Sequence, residues 1–146
     1  MASQYTHTHR VEFSETDMAG IGHFSNFFRW MEMTEHAFLR SLGASVHGQL
    51  SSEQGGASYG FARVHAECDY RRPVRFEDVL RIELRVEAKS SKSLEYGFAF
   101  SLPEGEDPSP LANGRMKVVC VSFDSTGGLC ASDLPLPIAD LVQAAT

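Results

Sequence analysis

The sequence predicts an α+β domain in which one long central helix is wrapped by a five-stranded antiparallel sheet, in the order β-α-β-β-β-β. Three observations predict it. Apolar residues recur at helical spacing in a single long segment, alternation of period two recurs in four others, and one further apolar run lies near the end of the chain. The 146 residues suit one domain with one core, so a single unit spanning 1–146 is expected.

From Tyr5 to Phe13, the odd positions Tyr5, His7, His9, Val11 and Phe13 alternate with Thr6, Thr8, Arg10 and Glu12, which suits a half-exposed strand. The segment from Ser14 to Gly22 breaks the pattern with two glycines and polar entry residues, and reads as a loop. Phe24, Phe27, Phe28, Met31, Phe38 and Leu42 then recur at intervals of three and four, and Gly43 stands where a helix commonly ends. Trp30 and Met33 widen the apolar surface, as expected of a helix with a sheet curled around it. Ala44 to Tyr59 is rich in Gly and Ser and reads as a mobile connection with room for a short helical turn.

Four strands follow. Ala62, Val64, Ala66, Cys68 and Tyr70 are expected on one face, with Arg63, His65, Glu67, Asp69 and Arg71 on the other, and Pro73 closes the strand. Leu80, Ile82, Leu84, Val86 and Ala88 alternate with charged residues. Leu94, Tyr96, Phe98, Phe100 and Leu102 repeat the pattern after Lys89 to Ser93, so these two segments form a hairpin. Pro103 to Pro110 reads as a polar loop. Met116 to Phe123 is apolar on both faces, which places it inside the sheet or against a partner.

Composition narrows the function classes. A formal net charge of −6 argues against binding nucleic acid by general phosphate attraction. Cys68, Cys120 and Cys130 are odd in number, widely spaced and free of CxxC pairs, so neither a disulfide framework nor a zinc site is expected, and a reducing compartment fits. No run approaches the roughly 18 apolar residues of a membrane span, and Met1 to Arg10 lacks the apolar centre of a signal peptide. A cytoplasmic protein without membrane partners is the expectation. His7 and His9 share a strand face with no accompanying carboxylate or cysteine cluster, so sheet packing is expected there and no metal. No Gly-x-Ser-x-Gly elbow is present, and Cys68 and Cys120 fall on apolar strand positions.

The run Ser14 to Glu32, with Asp17-x-x-Gly20-x-x-His23-Phe24 ahead of an aromatic-rich helix, resembles the 4-hydroxybenzoyl-CoA thioesterase family of hotdog proteins. The run Tyr70 to Leu80 supports the resemblance, which covers most of the chain. It implies an acyl-CoA thioesterase with Asp17 as the catalytic carboxylate and the Phe24 backbone N–H as the oxyanion donor. It also implies a homodimer or homotetramer with each site at a subunit interface. Coenzyme A would be part of the substrate, with no separate cofactor. Elementary chemistry agrees, because thioester hydrolysis needs a group that activates water or attacks the carbonyl, and donors aimed at the oxygen that becomes negative. Helix-initial N–H groups near His23 and Phe24 lack internal acceptors and favour negative charge. Gly20 and Gly22 suit places where the backbone must approach the acyl carbonyl closely. Asp17 and both glycines can equally serve a turn alone, while Ser25 can cap the helix. His23 can meet the carbonyl, or it can be a structural contact.

The turn Lys89-Ser90-Ser91-Lys92-Ser93 offers two ammonium groups and three hydroxyls, and the resemblance implies a CoA-phosphate contact near Lys92, with Lys89 and Ser91 beside it. A solvated hairpin turn is the plainer reading. Arg71, Arg72 and Arg75 form a second basic group, which pairing with Glu77 and Asp78 would also explain. Two other functions fit the same residues: a thioesterase acting on acyl carrier protein, and a hotdog protein that binds acyl-CoA without catalysis. Aromatic, aliphatic and hydroxylated acyl groups all remain open.

Overall fold

The computed structural model describes residues 1–103, 107 and 109–146. Part of the expected polar loop, residues 104–106 and 108, lies outside the described residues. The chain runs through β1 (Gln4–Arg10), α1 (Ser25–Ser41), β2 (Gly48–Gln49), β3 (Ser58–Tyr70), β4 (Val79–Lys89), β5 (Ser93–Ser101), β6 (Ala112–Phe123), β7 (Leu129–Ala131) and α2 (Leu136–Leu141). All strand pairs are antiparallel, in the order β1-β4-β5-β6-β3-β2, with β7 added to β6. The five expected strands are the five long ones. The Gly/Ser-rich connection supplies a sixth, only two residues long, together with a single 3₁₀ turn at Ser52–Gln54.

The core lies between α1 and the concave face of the sheet. Phe27, Trp30, Met31, Phe38 and Leu39 of the helix are buried against Leu80, Ile82, Leu84 and Val86 of β4 and Leu94, Tyr96, Phe98 and Phe100 of β5. In β5 the alternation of the sequence and the alternation of burial coincide throughout. Strand β6 sits between β5 and β3; its inner row from Ala112 to Ser122 is buried, while on the outer face Val119 and Val121 are half-buried and Phe123 is exposed. Phe24 and Met33 depart from expectation. They are 61% and 40% exposed, so the buried stripe of the helix is narrower than its apolar composition.

Two β-bulges change which residues face inward. Along β3, Arg63 pairs with Val118 and His65 with Lys117, so Val64 is an extra residue with no partner. One extra residue inverts the parity of a strand. Tyr59, Phe61 and Arg63 therefore turn toward the helix before the bulge, and Cys68 after it. The expected outward position of Arg63 is wrong for this reason. Its guanidinium reaches inward and binds both oxygens of the buried Glu35 carboxylate at 2.7 and 3.1 Å. A second bulge at Glu87 leaves Ala88 exposed instead of continuing the inner row.

Strand β3 is also the edge of the sheet for most of its length, because β2 pairs only with Ser58 and Tyr59. Residues 60–70 thus have a sheet neighbour on the β6 side alone among the described residues.

Candidate active site

The loop carrying Asp17 is a closed hairpin built on the end of β1. A 3₁₀ turn at Phe13–Glu15 redirects the chain, and Thr16 then bridges Gly22. Within that bridge, the Asp17 N–H donates to the Ile21 carbonyl and the Gly20 N–H to the Asp17 carbonyl, each at 2.9 Å. Gly20 adopts φ +80°, a left-handed conformation that a side chain would strain. The Asp17 Oδ1 accepts the Ala19 N–H at 2.8 Å, as aspartate does in turns, and the other carboxylate oxygen has no bond among the described residues. Asp17 is half-buried.

Where the loop runs into α1, the amides divide their roles. The His23 N–H donates to the Glu15 carbonyl at 2.8 Å and is spent. The Phe24 N–H has no acceptor among the described residues. Of the two amides considered from the sequence, Phe24 alone is left over. Ser25 does not cap the helix. It is the first helical residue, and its Oγ lies 2.8 Å from Nδ1 of His23, whose ring packs on Phe24 at 4.6 Å between centroids.

Asp17, Ile21, Gly22, Phe24, Phe27 and Tyr70, together with Arg71 to Val74, line one cleft of about 550 Å³. The Tyr70 hydroxyl donates to the Phe24 carbonyl at 3.2 Å, and its ring meets Phe27 edge-on at 5.0 Å, tying the helix start to the end of β3. The cleft thus brings together the Asp17 carboxylate, the residue whose amide has no acceptor among the described residues, and an aromatic wall. Thiol chemistry is disfavoured nearby, since burial pushes the Cys68 thiol up to about 11.

Residues 11–145 match the sequence profile of the Thioesterase-like superfamily, a span that takes in the Asp17 loop, the helix and every long strand except β1. The chain belongs to that superfamily. Its helix wrapped by an antiparallel sheet is the hotdog fold. Among relatives, the 1,4-dihydroxy-2-naphthoyl-CoA hydrolase of Prochlorococcus marinus (strain MIT 9313) is 31% identical over 97 residues, covering 64% of this chain and 64% of that protein. The protein of the same name from Synechococcus sp. (strain CC9311) is 30% identical over 139 residues, covering 93% of this chain and 87% of that one. The alignments to the first relatives thus span about two thirds of their length, and the Synechococcus alignment most of it. Among solved structures, the 4-hydroxybenzoyl-CoA thioesterase from Pseudomonas sp. strain CBS-3 superposes with a TM-score of 0.77 at 23% identity. That superposition covers 96% of this chain and 99% of that one, and is a likeness of fold.

In this thioesterase-like chain the basic turn lies far from Asp17. Arg10, which precedes the loop, pairs with Val79 at the start of β4, whereas Lys89 ends that strand. Eleven extended residues span about 35 Å, so the turn and the Asp17 cleft occupy opposite ends of the sheet. The Lys89 ammonium is engaged by the carbonyls of Ala139 and Val142 at 2.5 and 2.7 Å, at the end of α2. Lys92 pairs with Asp133 at 2.9 Å, and the Ser91 carbonyl accepts the Leu134 N–H at 2.8 Å. The second basic group is nearer: Arg71 and Arg72 line the cleft itself. Arg72 binds Asp107 and the Ser109 carbonyl, so its expected pairing with Glu77 or Asp78 is replaced by a contact to the loop before β6.

Sequence reasoning missed the residues that hold the loop to the helix. The Glu15 carbonyl accepts the Asn26 side-chain amide at 2.7 Å, and the Glu15 carboxylate accepts the Trp30 indole N–H at 2.7 Å. One signal was present: Asn26, adjoining Phe27 and four residues before Trp30, falls on the buried helix face, where a polar side chain requires a partner.

Proposed function

We propose that this chain is an acyl-CoA thioester hydrolase acting on an aromatic acyl group, with Asp17 as general base or nucleophile and the Phe24 N–H as oxyanion donor. The observation that carries the proposal is the shared cleft, in which the Asp17 carboxylate and the residue bearing the unpaired Phe24 amide stand beside Phe27 and Tyr70. Thioester hydrolysis is the chemistry expected of the superfamily, and two relatives are named hydrolases of an aromatic acyl-CoA.

Both routes use the ionised carboxylate. In one, Asp17 takes a proton from water as the water attacks the carbonyl. In the other, Asp17 attacks the carbonyl, releases CoA as thiolate and forms an anhydride that water then opens. Either way, negative charge develops on the carbonyl oxygen, where the Phe24 N–H, at the positive end of α1, would stabilise it. Phe27 and Tyr70 would stack on the acyl ring, and the exposed His23 ring, outside the cleft lining, would border the approach.

The working unit is a homodimer or homotetramer in this reading. The open β3 edge over residues 60–70 supports it, because an unpaired edge favours pairing with another strand. A phosphate contact at Lys92, with Ser91 and Lys89 beside it, would then serve a substrate whose Asp17 belongs to the neighbouring subunit, since within one chain the two lie at opposite ends of the sheet.

The experiment is a panel of acyl-CoA thioesters followed by release of free thiol. Aromatic thioesters such as 1,4-dihydroxy-2-naphthoyl-CoA and 4-hydroxybenzoyl-CoA should show kcat/KM at least about tenfold above aliphatic ones of similar size, the scale that one favourable aromatic contact supports. Equal rates across the panel would remove the aromatic assignment. No thiol release from any member would remove hydrolysis.

A further inference from the structure

Glu15, at the base of the Asp17 loop, is bonded to several elements at once. Its carboxylate, only 12% exposed, accepts the Glu12 N–H at 2.7 Å, the His9 ring at 2.8 Å and the Trp30 indole N–H at 2.7 Å. Its backbone carbonyl accepts the His23 N–H at 2.8 Å and the Asn26 side-chain amide at 2.7 Å. One residue therefore connects the end of β1, the 3₁₀ turn, the entry to α1 and the first two turns of that helix.

Two consequences follow for the cleft. The Glu15 carbonyl closes the base of the hairpin that carries Asp17, just outside the Thr16–Gly22 bridge, so it sets where the Asp17 backbone stands relative to the helix start. It also occupies the His23 amide, so that of the two amides at the helix entry only that of Phe24 is without a partner among the described residues. The carboxylate keeps this carbonyl in place by anchoring the same residue to Trp30 on the helix and His9 on the strand. We propose that Glu15 is a positioning residue for thioester hydrolysis, holding the Asp17 carboxylate and the Phe24 N–H in register through its five hydrogen-bonded partners. This rests on the assignment of Asp17 and Phe24 made above.

The chemistry of the site makes glutamine an informative replacement. All three groups facing the carboxylate act as donors, with His9 presenting N–H, and an ionised carboxylate accepts from each. Glutamine is close in size but has one acceptor oxygen, and its NH₂ would point at an N–H. Loss of register at a reacting centre lowers the rate of the chemical step strongly while leaving remote binding contacts intact.

The test compares Glu15→Gln, Asp17→Asn and the wild-type protein, using aromatic acyl-CoA hydrolysis normalised to the folded fraction. The expected result for Glu15→Gln is a kcat lower by about tenfold or more, with KM changed by less than about threefold. A purely structural role would reduce the folded fraction and leave kcat per folded site unchanged, and that outcome overturns the proposal. If Glu15→Gln does not fold, His9→Leu and His9→Gln take its place. Leucine, which removes a donor to the carboxylate, should lower kcat, and glutamine, which retains one, should largely restore it; equal kcat values overturn the proposal. An inactive Asp17→Asn beside a fully active Glu15→Gln would remove the role of Glu15 alone. A fully active Asp17→Asn would remove the catalytic assignment and the role of Glu15 with it.

Discussion

The Gly22 N–H donates to the Val74 carbonyl at 2.7 Å, and the two residues are so close that a β-carbon on Gly22 would fall 2.5 Å from Cγ2 of Val74 and 3.3 Å from the Trp30 ring. This contact fastens the Asp17 loop to the segment leading into β4. Neither neighbour can retreat easily, since both are buried.

Gly22→Ala should therefore cost about 1–3 kcal/mol of stability, the usual range for overpacking. It should also lower turnover, because the loop must shift to admit the methyl group. Thermal unfolding and thiol release together check this, and a variant with unchanged stability would mean that the backbone here yields more readily than the packing implies.

Acid should weaken the anchoring of the same loop. Burial raises the Glu15 carboxyl, but the Glu12 N–H, the His9 ring and the Trp30 indole outweigh it and hold the group below its ordinary value. A carboxyl depressed in the folded state contributes stability that is fully present above its unfolded value, about 4.3, and is lost as pH falls through the lower folded value. The stability gap between wild-type protein and Glu15→Gln should thus be widest near neutral pH and narrow below about pH 4.3. Denaturant unfolding across this range measures it, and a gap independent of pH would contradict the assignment.

The Arg63–Glu35 pair predicts a second stability effect. Arg63→Met would leave the Glu35 carboxylate buried without its cation and should cost about 3–5 kcal/mol. Arg63→Met combined with Glu35→Leu should recover most of this loss, since removing both partners leaves no stranded charge. Denaturant midpoints of the single and double variants decide the matter.

The subunit interface proposed at the open edge of β3 can be tested. Specific activity should fall on dilution through the range in which sedimentation shows the oligomer dissociating. A fully active monomer would leave the thioesterase reading standing and remove the shared site.

Much of the fold was legible because periodicity and burial coincide in β4 and β5, where the inner row from Leu80 to Val86 and from Leu94 to Phe100 can be read directly. Strand β3 was legible as a strand but not in its facing. A single unpaired residue, Val64, inverts the parity, and a bulge leaves no mark in composition. At the candidate site, the sequence pattern brought out Asp17 and Phe24, which line the cleft, together with Gly20 and His23, which lie between them along the chain but outside its lining. It did not bring out Glu15 as the anchor, because its bonds to His9, Asn26 and Trp30 exist only once strand, turn and helix are docked. The lysines of the β4–β5 turn looked accessible for the opposite reason: their partners Asp133, Ala139 and Val142 come from a distant C-terminal segment.

Asp17→Asn tests whether the Asp17 carboxylate drives thioester hydrolysis, as proposed. The substitution keeps the size of the side chain and an oxygen able to accept the Ala19 N–H, so the turn and the fold should persist. Thiol release from an aromatic acyl-CoA should fall by at least about a hundredfold, as expected when a general base or nucleophile is removed, while binding of the substrate is largely retained. A folded Asp17→Asn protein that hydrolyses the same thioester at near wild-type rate would contradict the account.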